Sequence, residues 1–99
     1  MISRHWKGLL RRDQAEAYVE HLRRQTLPSL SAIPGFVRAT VLRRDVERGI
    51  EFQVVTVWES LDAIRAFAGP DVEAALVPTV AAAMMVEWDE RATHYEIVG

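Results

Sequence analysis

The sequence predicts a single α+β domain in which the elements follow the order β-α-β-β-α-β. Three observations support this order: an amphipathic helical stripe follows a short first strand, two β-rich segments flank a polar turn, and a serine-capped helix precedes a last β-rich segment. This is the order of the ferredoxin-like fold, a four-stranded antiparallel sheet with helices on one face. A chain of 99 residues forms one hydrophobic core, so residues 1–99 are expected to be one domain.

The first third of the chain supplies a strand and a helix. Residues 2–7 alternate weakly between apolar and polar side chains, which predicts a strand. Asp13 is a candidate N-cap for the helix that follows. The apolar stripe of that helix has helical spacing and consists of Ala15, Tyr18, Val19, Leu22, Leu27 and Leu30. Pro28 lies within the stripe, so we expect a kink or a restart there, and residues 33–35 (IPG) end the helix.

The middle of the chain predicts an antiparallel hairpin. Residues 36–43 and 50–58 are rich in valine, threonine and aromatic residues, and the turn-forming residues 45–49 lie between them. The segment 50–58 has the strongest strand pattern in the sequence.

The segment after the hairpin is predicted to cross back over one sheet face. Ser60 is the expected N-cap of a helix that Gly69 ends, and Pro70 is expected to begin another short helix. Residues 87–90 are predicted to form a surface bend, and residues 91–98 the final strand.

The composition excludes several classes of function. The chain has no cysteine, which excludes disulfides, thiolate catalysis and cysteine-based zinc sites. Its net charge is −2 and its basic residues are dispersed, so no nucleic-acid partner is expected. No signal peptide or apolar run long enough to cross a bilayer is present, which predicts a cytoplasmic protein with no membrane contact. Phosphate-loop and serine-nucleophile motifs are absent too.

Both faces of the central strands carry apolar side chains. In the third strand Phe52, Val54, Thr56 and Trp58 lie on one face, and Val55 and Val57 on the other. In the second strand Phe36 and Leu42 are predicted on one face, and Val37, Ala39 and Val41 on the other. Helices can cover only one of the two faces, and a large exposed apolar patch usually marks an interface. We therefore predict a homodimer that packs sheet against sheet, with a monomer as the alternative.

Three short segments carry a family resemblance. They are IPGF at residues 33–36, VWES at residues 57–60 and HYEIV at residues 94–98. In the order βαββαβ they resemble the antibiotic biosynthesis monooxygenase superfamily of dimeric α+β barrels, over nearly the whole chain. The resemblance implies that fold and a small-molecule function. The superfamily includes cofactor-free oxygenases of aromatic polyketides, haem-degrading enzymes and other small-molecule enzymes.

The haem-degrading branch of that superfamily is distinguished by particular residues. Its members carry a Trp in the second helix and, further along, a His that ligates the haem iron. Aligned on Val57-Trp58, these positions are Phe67 and Val77, and the Asn that the branch uses on its first strand has no counterpart, because the chain contains no Asn. Haem degradation in that manner is therefore not expected. The quinone-forming members use Trp, Asn, Tyr and Arg around an aromatic substrate, and only Asn is missing here.

His5 and His94 are the leading candidates for polar chemistry. They lie in the first and last strands, which are antiparallel neighbours in this fold, so we expect that they can approach each other on one sheet face. A neutral imidazole is a competent base for a phenol or an activated C–H bond. The alternative is that they bond to the backbone or pair with Glu96 across the dimer. His21 is predicted to be a solvated helix residue, and a metal site of His5, His94 and Glu96 is a weaker alternative.

Three further residues are candidates for ligand contacts. Trp58 ends a strand at the helix junction and is predicted to form a pocket wall on which a flat substrate stacks, with core packing as the alternative. Arg4 and Arg38 lie within strands, so each must reach solvent, pair with a carboxylate or bind a ligand. Either could hold a substrate oxyanion, or pair between subunits with Glu51 or Glu96.

These observations favour a cofactor-independent monooxygenase-type enzyme that acts on a small aromatic or polyketide-like substrate. His5 and His94 are the catalytic candidates, and Trp58 is the pocket wall. A base would generate a substrate carbanion that reacts directly with O₂, so no cofactor and no metal are predicted. Two alternatives stay open: a non-catalytic small-molecule-binding or stress-response barrel, and an isomerase-type enzyme on the same fold.

Overall fold

The computed structural model describes residues 1–99, as an antiparallel sheet of five strands with helices packed on one face. The strands are β1 (Ile2–Leu10), β2 (Phe36–Val46), β3 (Gly49–Trp58), β4 (Met85–Trp88) and β5 (Thr93–Glu96). The α-helices are α1 (Ala15–His21), α2 (Leu27–Ser31), α3 (Leu61–Ala68) and α4 (Thr79–Ala82). None of the helices has the length and apolar character needed to cross a membrane.

The sheet order is β2-β3-β1, and both β4 and β5 pair with the outer edge of β1. The α+β fold predicted from the sequence is confirmed. The sheet has one strand more than the four predicted, and the predicted last strand, residues 91–98, is shorter and corresponds to β5. Residues 85–88, partly predicted as a bend, form β4 against the end of β1, and β5 resumes at residue 93 against the start of β1.

The first helical segment runs from Ala15 to Ser31 as two α-helices joined by a π-helical turn at Leu22–Thr26. Pro28 lacks an N–H and would crowd the carbonyl group four residues earlier, and the wider π turn lies directly before it. The chain therefore passes Pro28 with a change of helical type. Asp13 lies inside a short 3₁₀ turn and makes no capping hydrogen bond, so its prediction as the N-cap is wrong.

In the second half of the chain α3 forms as predicted, but the segment after it differs from the prediction. Ser60 caps α3, where its hydroxyl oxygen accepts from the Ala63 amide at 3.2 Å, and Gly69 ends the helix with φ 88°. No helix begins at Pro70. Residues 70–78, which we call the strap, have no regular structure, and α4 starts only after Pro78. The residue before a proline disfavours the helical conformation, so Pro78 prevents a helix from running continuously from the strap into α4.

The core lies between the helices and the covered face of the sheet and has two clusters. The first joins α1, α4 and the strands through Leu10, Ala15, Tyr18, Leu22, Phe52, Ala81 and Met85. The second joins α2, α3 and β3 through Leu30, Trp58 and Ile64.

The two faces of β2 differ from the predicted assignment. The register of β2 against β3 shifts at Val37, and beyond this bulge Val41 pairs with Val54 and packs against the core. Val41 therefore lies on the same covered face as Phe36, whereas the alternation predicts opposite faces. That prediction is wrong because a bulge adds one residue and turns every later side chain over. The uncovered side of the sheet, which we call the open face, receives Arg38, Thr40, Leu42 and Arg44 from β2 and is more polar than predicted.

Candidate functional site

A cavity of about 80 Å³ lies between the helices, the strap and the covered face of the sheet. Most of its wall is apolar, and the polar side chains at the wall are Arg4, Tyr18, His21, Thr26 and Thr56. An apolar pocket with a few convergent polar groups is the usual form of a small-molecule site. The cavity is small beside the roughly 300–1,000 Å³ of pockets that enclose drug-sized ligands.

Arg4 brings a buried positive charge to the cavity wall from β1. Its residue is only 5% exposed, and none of the ion pairs in the structure includes it. The guanidinium instead donates to the carbonyl oxygens of Val72 and Ala74 in the strap, the latter at 2.7 Å, and lies 5.6 Å from the ring centre of Phe67. Burial lowers the pKa of Arg4. A cation held by neutral groups alone is a candidate receptor for an anion.

The guanidinium of Arg4 has donor capacity to spare. It carries five N–H bonds, and its three contacts within the chain use Nη1 twice and Nη2 once. Nε and the second hydrogen of Nη2 make no hydrogen bond within the chain. Unused N–H groups of a guanidinium are donors for a carboxylate or a phenolate oxygen.

His94 contacts Arg4 across the β1–β5 pair, with Nε2 2.9 Å from Nη1. A guanidinium only donates, so Nε2 accepts, and the imidazole is neutral with its proton on Nδ1. The pKa of His94 is lowered, first by burial and then by the charge of Arg4, against an opposing contribution from Glu73. The lone pair on Nε2 is therefore occupied, and the contact itself orients the guanidinium.

His5 lies on the open face, on the other side of the sheet from His94. In the β1–β5 register Arg4 pairs with His94 and His5 pairs with Thr93, so the two histidines point in opposite directions. The strands are neighbours as predicted, but the expected approach of the two imidazoles is wrong. The metal arrangement that requires His5, His94 and Glu96 on one face fails for the same reason. The structure contains no group of three His, Cys, Asp or Glu side chains placed to hold a metal ion.

The surroundings of His5 are those of a polar cluster on the sheet. Its Nε2 lies 2.8 Å from Oγ of Ser3, and its Nδ1 lies 3.3 Å from Nε2 of Gln53. The ring also packs edge-on against Tyr95, with a centroid distance of 4.9 Å.

Trp58 lies behind the cavity wall. It is fully buried, stacks on Phe67 at 5.8 Å and contacts Phe36 edge-on at 5.3 Å. Its Nε1 donates to Oγ1 of Thr56 at 2.8 Å. Phe67 and Thr56 both line the cavity, whereas Trp58 does not. Trp58 therefore shapes the pocket by supporting two residues of its wall, and its ring has no face free for a ligand.

His21 lines the cavity, although the sequence predicts it at the solvated surface of the helix. Its Nε2 is buried and has no hydrogen-bond partner, and its ring stacks on Tyr18 with a centroid distance of 6.3 Å. The prediction of a solvated helix residue is wrong, because His21 borders the apolar stripe: it is three residues after Tyr18 and next to Leu22. That spacing was the available signal. A buried imidazole nitrogen without a partner is suited to contact a ligand hydroxyl.

Tyr18 adds a second polar group beside His21. Its residue is almost fully buried and lines the cavity. Burial raises the pKa of Tyr18, which keeps the phenol protonated and able to donate.

The comparison with protein families identifies the group to which this fold and cavity belong. The model of the antibiotic biosynthesis monooxygenase family matches residues 1–75. The chain belongs to this family. No curated protein matches the chain.

Several solved structures share the fold of this chain. A candidate antibiotic biosynthesis monooxygenase from Bacillus cereus is 18% identical with a TM-score of 0.67, over 99% of this chain and 93% of that one. A second, from Deinococcus radiodurans, is 18% identical with a TM-score of 0.66, over 100% and 94%. The heme-degrader MhuD of Mycobacterium tuberculosis, with two hemes bound in its active site, is 21% identical with a TM-score of 0.60, over 99% and 96%. At these identities the likeness shows the fold.

The two positions that distinguish the haem-degrading branch of the family lie in this cavity. Phe67 and Val77 both line it, so the resemblance pointed to the right region of the fold. Neither side chain has an atom that can ligate iron. Haem chemistry is therefore not assigned to this member of the family.

Proposed function

We propose that this protein is a cofactor-independent monooxygenase-type enzyme that binds a small aromatic or polyketide-like phenol in the cavity. The observation that carries the proposal is the buried, unpartnered Nε2 of His21 in a largely apolar wall. An imidazole nitrogen in such a place can act as a general base toward a bound hydroxyl or an activated C–H bond. Membership in the antibiotic biosynthesis monooxygenase family supports the oxygenase chemistry.

In the proposed reaction His21 acts as the base and Arg4 stabilises the negative charge. Nε2 of His21 takes a proton from the substrate, and the unused N–H groups of Arg4 hold the resulting oxyanion. The carbanion form reacts with O₂ to give a peroxide, which recovers the proton from His21. Cleavage of the O–O bond leaves one oxygen atom as a carbonyl on the substrate, and the other departs as water with the proton returned by His21 and the hydrogen that remained on the oxidised carbon. The substrate supplies all the electrons, so the balance needs no other reductant.

The other candidate residues take supporting roles in this proposal. His94 is a positioning residue, because its contact with Arg4 fixes the direction of the guanidinium. Trp58 supports Thr56 and Phe67 from behind the wall. His5 has no role in the cavity, since it lies on the opposite face of the sheet.

We also propose that a second copy of the chain covers the open face. Leu42 and Tyr95 are 50% and 56% exposed there, and Val55 lies between them on β3. The open face carries charges of both signs, including Arg38 and Glu51, as a two-fold interface between identical surfaces requires. The family resemblance to dimeric α+β barrels favours the same partner. The cluster around His5 would then lie within the interface.

The reaction is tested with an oxygen electrode and a panel of hydroxylated naphthalenes, hydroquinones and anthrones. We expect oxygen uptake with at least one of them, and a loss of about 10²–10⁴-fold in kcat for His21→Gln. His5→Gln is the matched control, because it makes the same change on the other face of the sheet. Unchanged kcat in His21→Gln would remove His21 from the mechanism. Binding without oxygen uptake would favour the small-molecule-binding alternative, and an isomerised product would favour the isomerase.

A further inference from the structure

The strap is fastened over the cavity from its inner side by Arg4. The guanidinium donates to the carbonyl oxygens of Val72 and Ala74, which lie near the middle of the strap. The strap residues that follow, from Ala75 to Pro78, line the cavity. The strap residues that Arg4 binds and the strap residues that line the cavity therefore belong to one continuous segment.

The outer side of the strap is held by contacts with the loop between β4 and β5. Arg91 pairs with Asp71 at 2.8 Å and with Glu73 at 3.1 Å. Each of these side chains is more than half exposed, so solvent weakens the ion pairs. Two backbone hydrogen bonds join the same segments: the Ala75 amide donates to Glu90 at 3.1 Å and the Ala92 amide donates to Glu73 at 2.7 Å.

The hydrogen bonds between Arg4 and the strap are made to carbonyl oxygens, which an anion can displace. A carbonyl oxygen carries only a partial charge, whereas a carboxylate or phenolate forms shorter and stronger hydrogen bonds with a guanidinium. No carboxylate of the chain pairs with Arg4. An anion that reaches the cavity would therefore be a stronger acceptor for Arg4 than either strap carbonyl.

We propose that Arg4 is both the anion receptor of the cavity and the latch of the strap. An aromatic oxyanion binds the unused N–H groups of Arg4 and draws the guanidinium away from the carbonyl oxygens of Val72 and Ala74, and the released strap enlarges the cavity around the bound ring. A neutral ring of the same shape leaves the latch closed. The inference rests on the proposed function for the choice of an aromatic ligand, and its contacts are independent of any reaction.

The test compares two probes that share a ring, para-nitrophenolate and the neutral para-nitroanisole. We expect the wild-type protein to bind the phenolate at least about tenfold more tightly. Hydrogen exchange is measured on the amides of Ala75 and Ala92, which join the strap to the neighbouring loop. We expect their exchange to become several-fold faster when the phenolate is bound and to stay unchanged with para-nitroanisole.

Three variants separate the latch from general effects on the fold. Arg4→Met should remove the preference for the phenolate and speed exchange of the strap without any ligand, while Arg23→Met changes an exposed arginine and should do neither. Arg91→Gln loosens only the outer side, so it should speed exchange at Ala92 and keep the preference for the phenolate. Arg91→Gln and the wild-type protein decide the test if Arg4→Met does not fold.

Equal affinity of the wild-type protein for the two probes would overturn the proposal. Unchanged or slower exchange of the strap with bound phenolate would overturn it as well. Because neither readout needs turnover, the two proposals can fail separately. If the protein binds the phenolate selectively but takes up no oxygen with any compound of the substrate panel, the proposed enzymatic function is contradicted. The proposed role of Arg4 in releasing the strap is then still supported.

Discussion

The guanidinium of Arg4 and the imidazole of His94 lie side by side on the covered face of the sheet, with Nη1 2.9 Å from Nε2. They are directly opposed in the register of β1 and β5. The contact requires a neutral imidazole, because a protonated one would have no lone pair for Arg4 and would repel its charge. The protonation state of His94 is thus linked to the position of the only buried arginine in the chain.

The first prediction concerns the pH dependence of stability. The pKa of His94 in the folded protein lies below its ordinary value of 6.5. Below that value the unfolded chain binds more protons than the folded one, so stability falls as the pH drops from about 6.5 toward the folded pKa. His94→Gln keeps an acceptor for Arg4 but cannot take up a proton. Urea midpoints measured across this range should fall with decreasing pH in the wild type and fall less in His94→Gln.

The control for this pH prediction is Arg23→Met, which changes an exposed arginine and keeps all three histidines. Its urea midpoints should follow the wild-type pH dependence. Parallel curves for the wild type and His94→Gln would contradict the linkage between His94 and Arg4.

The second prediction concerns the turn at Gly35, which has φ 91°. A Cβ at this position would lie 2.5 Å from Cβ of Ala63, in addition to the strain of a positive φ. Gly69 has nearly the same φ, 88°, but no atom within 4 Å of such a Cβ. Gly69→Ala should therefore cost about 1–3 kcal/mol of unfolding free energy, and Gly35→Ala should cost more. Chemical denaturation measures both, and equal costs would show that the contact with Ala63 has no effect.

The third prediction concerns the hydrogen bond behind the cavity wall. Trp58→Phe removes the donor to Oγ1 of Thr56 and leaves a gap in a fully buried site. The expected loss of unfolding free energy is about 1–3 kcal/mol. Trp88→Phe is the matched control, because Trp88 is 38% exposed and its replacement should cost less. Thermal unfolding of the two variants compares them, and a larger loss for Trp88→Phe would contradict the assignment of Trp58 to the core.

The fourth prediction concerns assembly. If a second copy covers the open face, Val55→Glu places a charge in the middle of that interface and should shift the protein toward the monomer. Val80→Glu is the control, since Val80 is an exposed residue of α4 away from the open face. Sedimentation at micromolar concentration distinguishes the two states. A wild-type protein that sediments as the 11.2 kDa monomer would contradict the dimer.

The sequence predicted which segments form the cavity wall better than it predicted which polar side chains lie in that wall. Resemblance to the family pointed to Phe67 and Val77, which line the cavity, and Arg4 was recognised as an arginine that needed a partner. His21 was assigned to solvent although its spacing from Tyr18 placed it at the edge of the buried stripe. Whether a residue at such an edge is buried depends on what packs over it, and here the cavity lies beside it.

By itself the sequence determined the α+β class, the order of the elements as far as α3, the hairpin of β2 and β3, the serine cap of α3 and the family. Each of these follows from local propensity, periodicity or short motifs, which neighbouring residues specify. Only the tertiary structure decided that His94 meets Arg4 instead of His5, that Val41 joins the covered face, and that residues 70–78 cross the cavity as an irregular strap. The reason is that strand register and bulges are set by packing between distant segments, and a shift of one residue moves a side chain to the other face of the sheet.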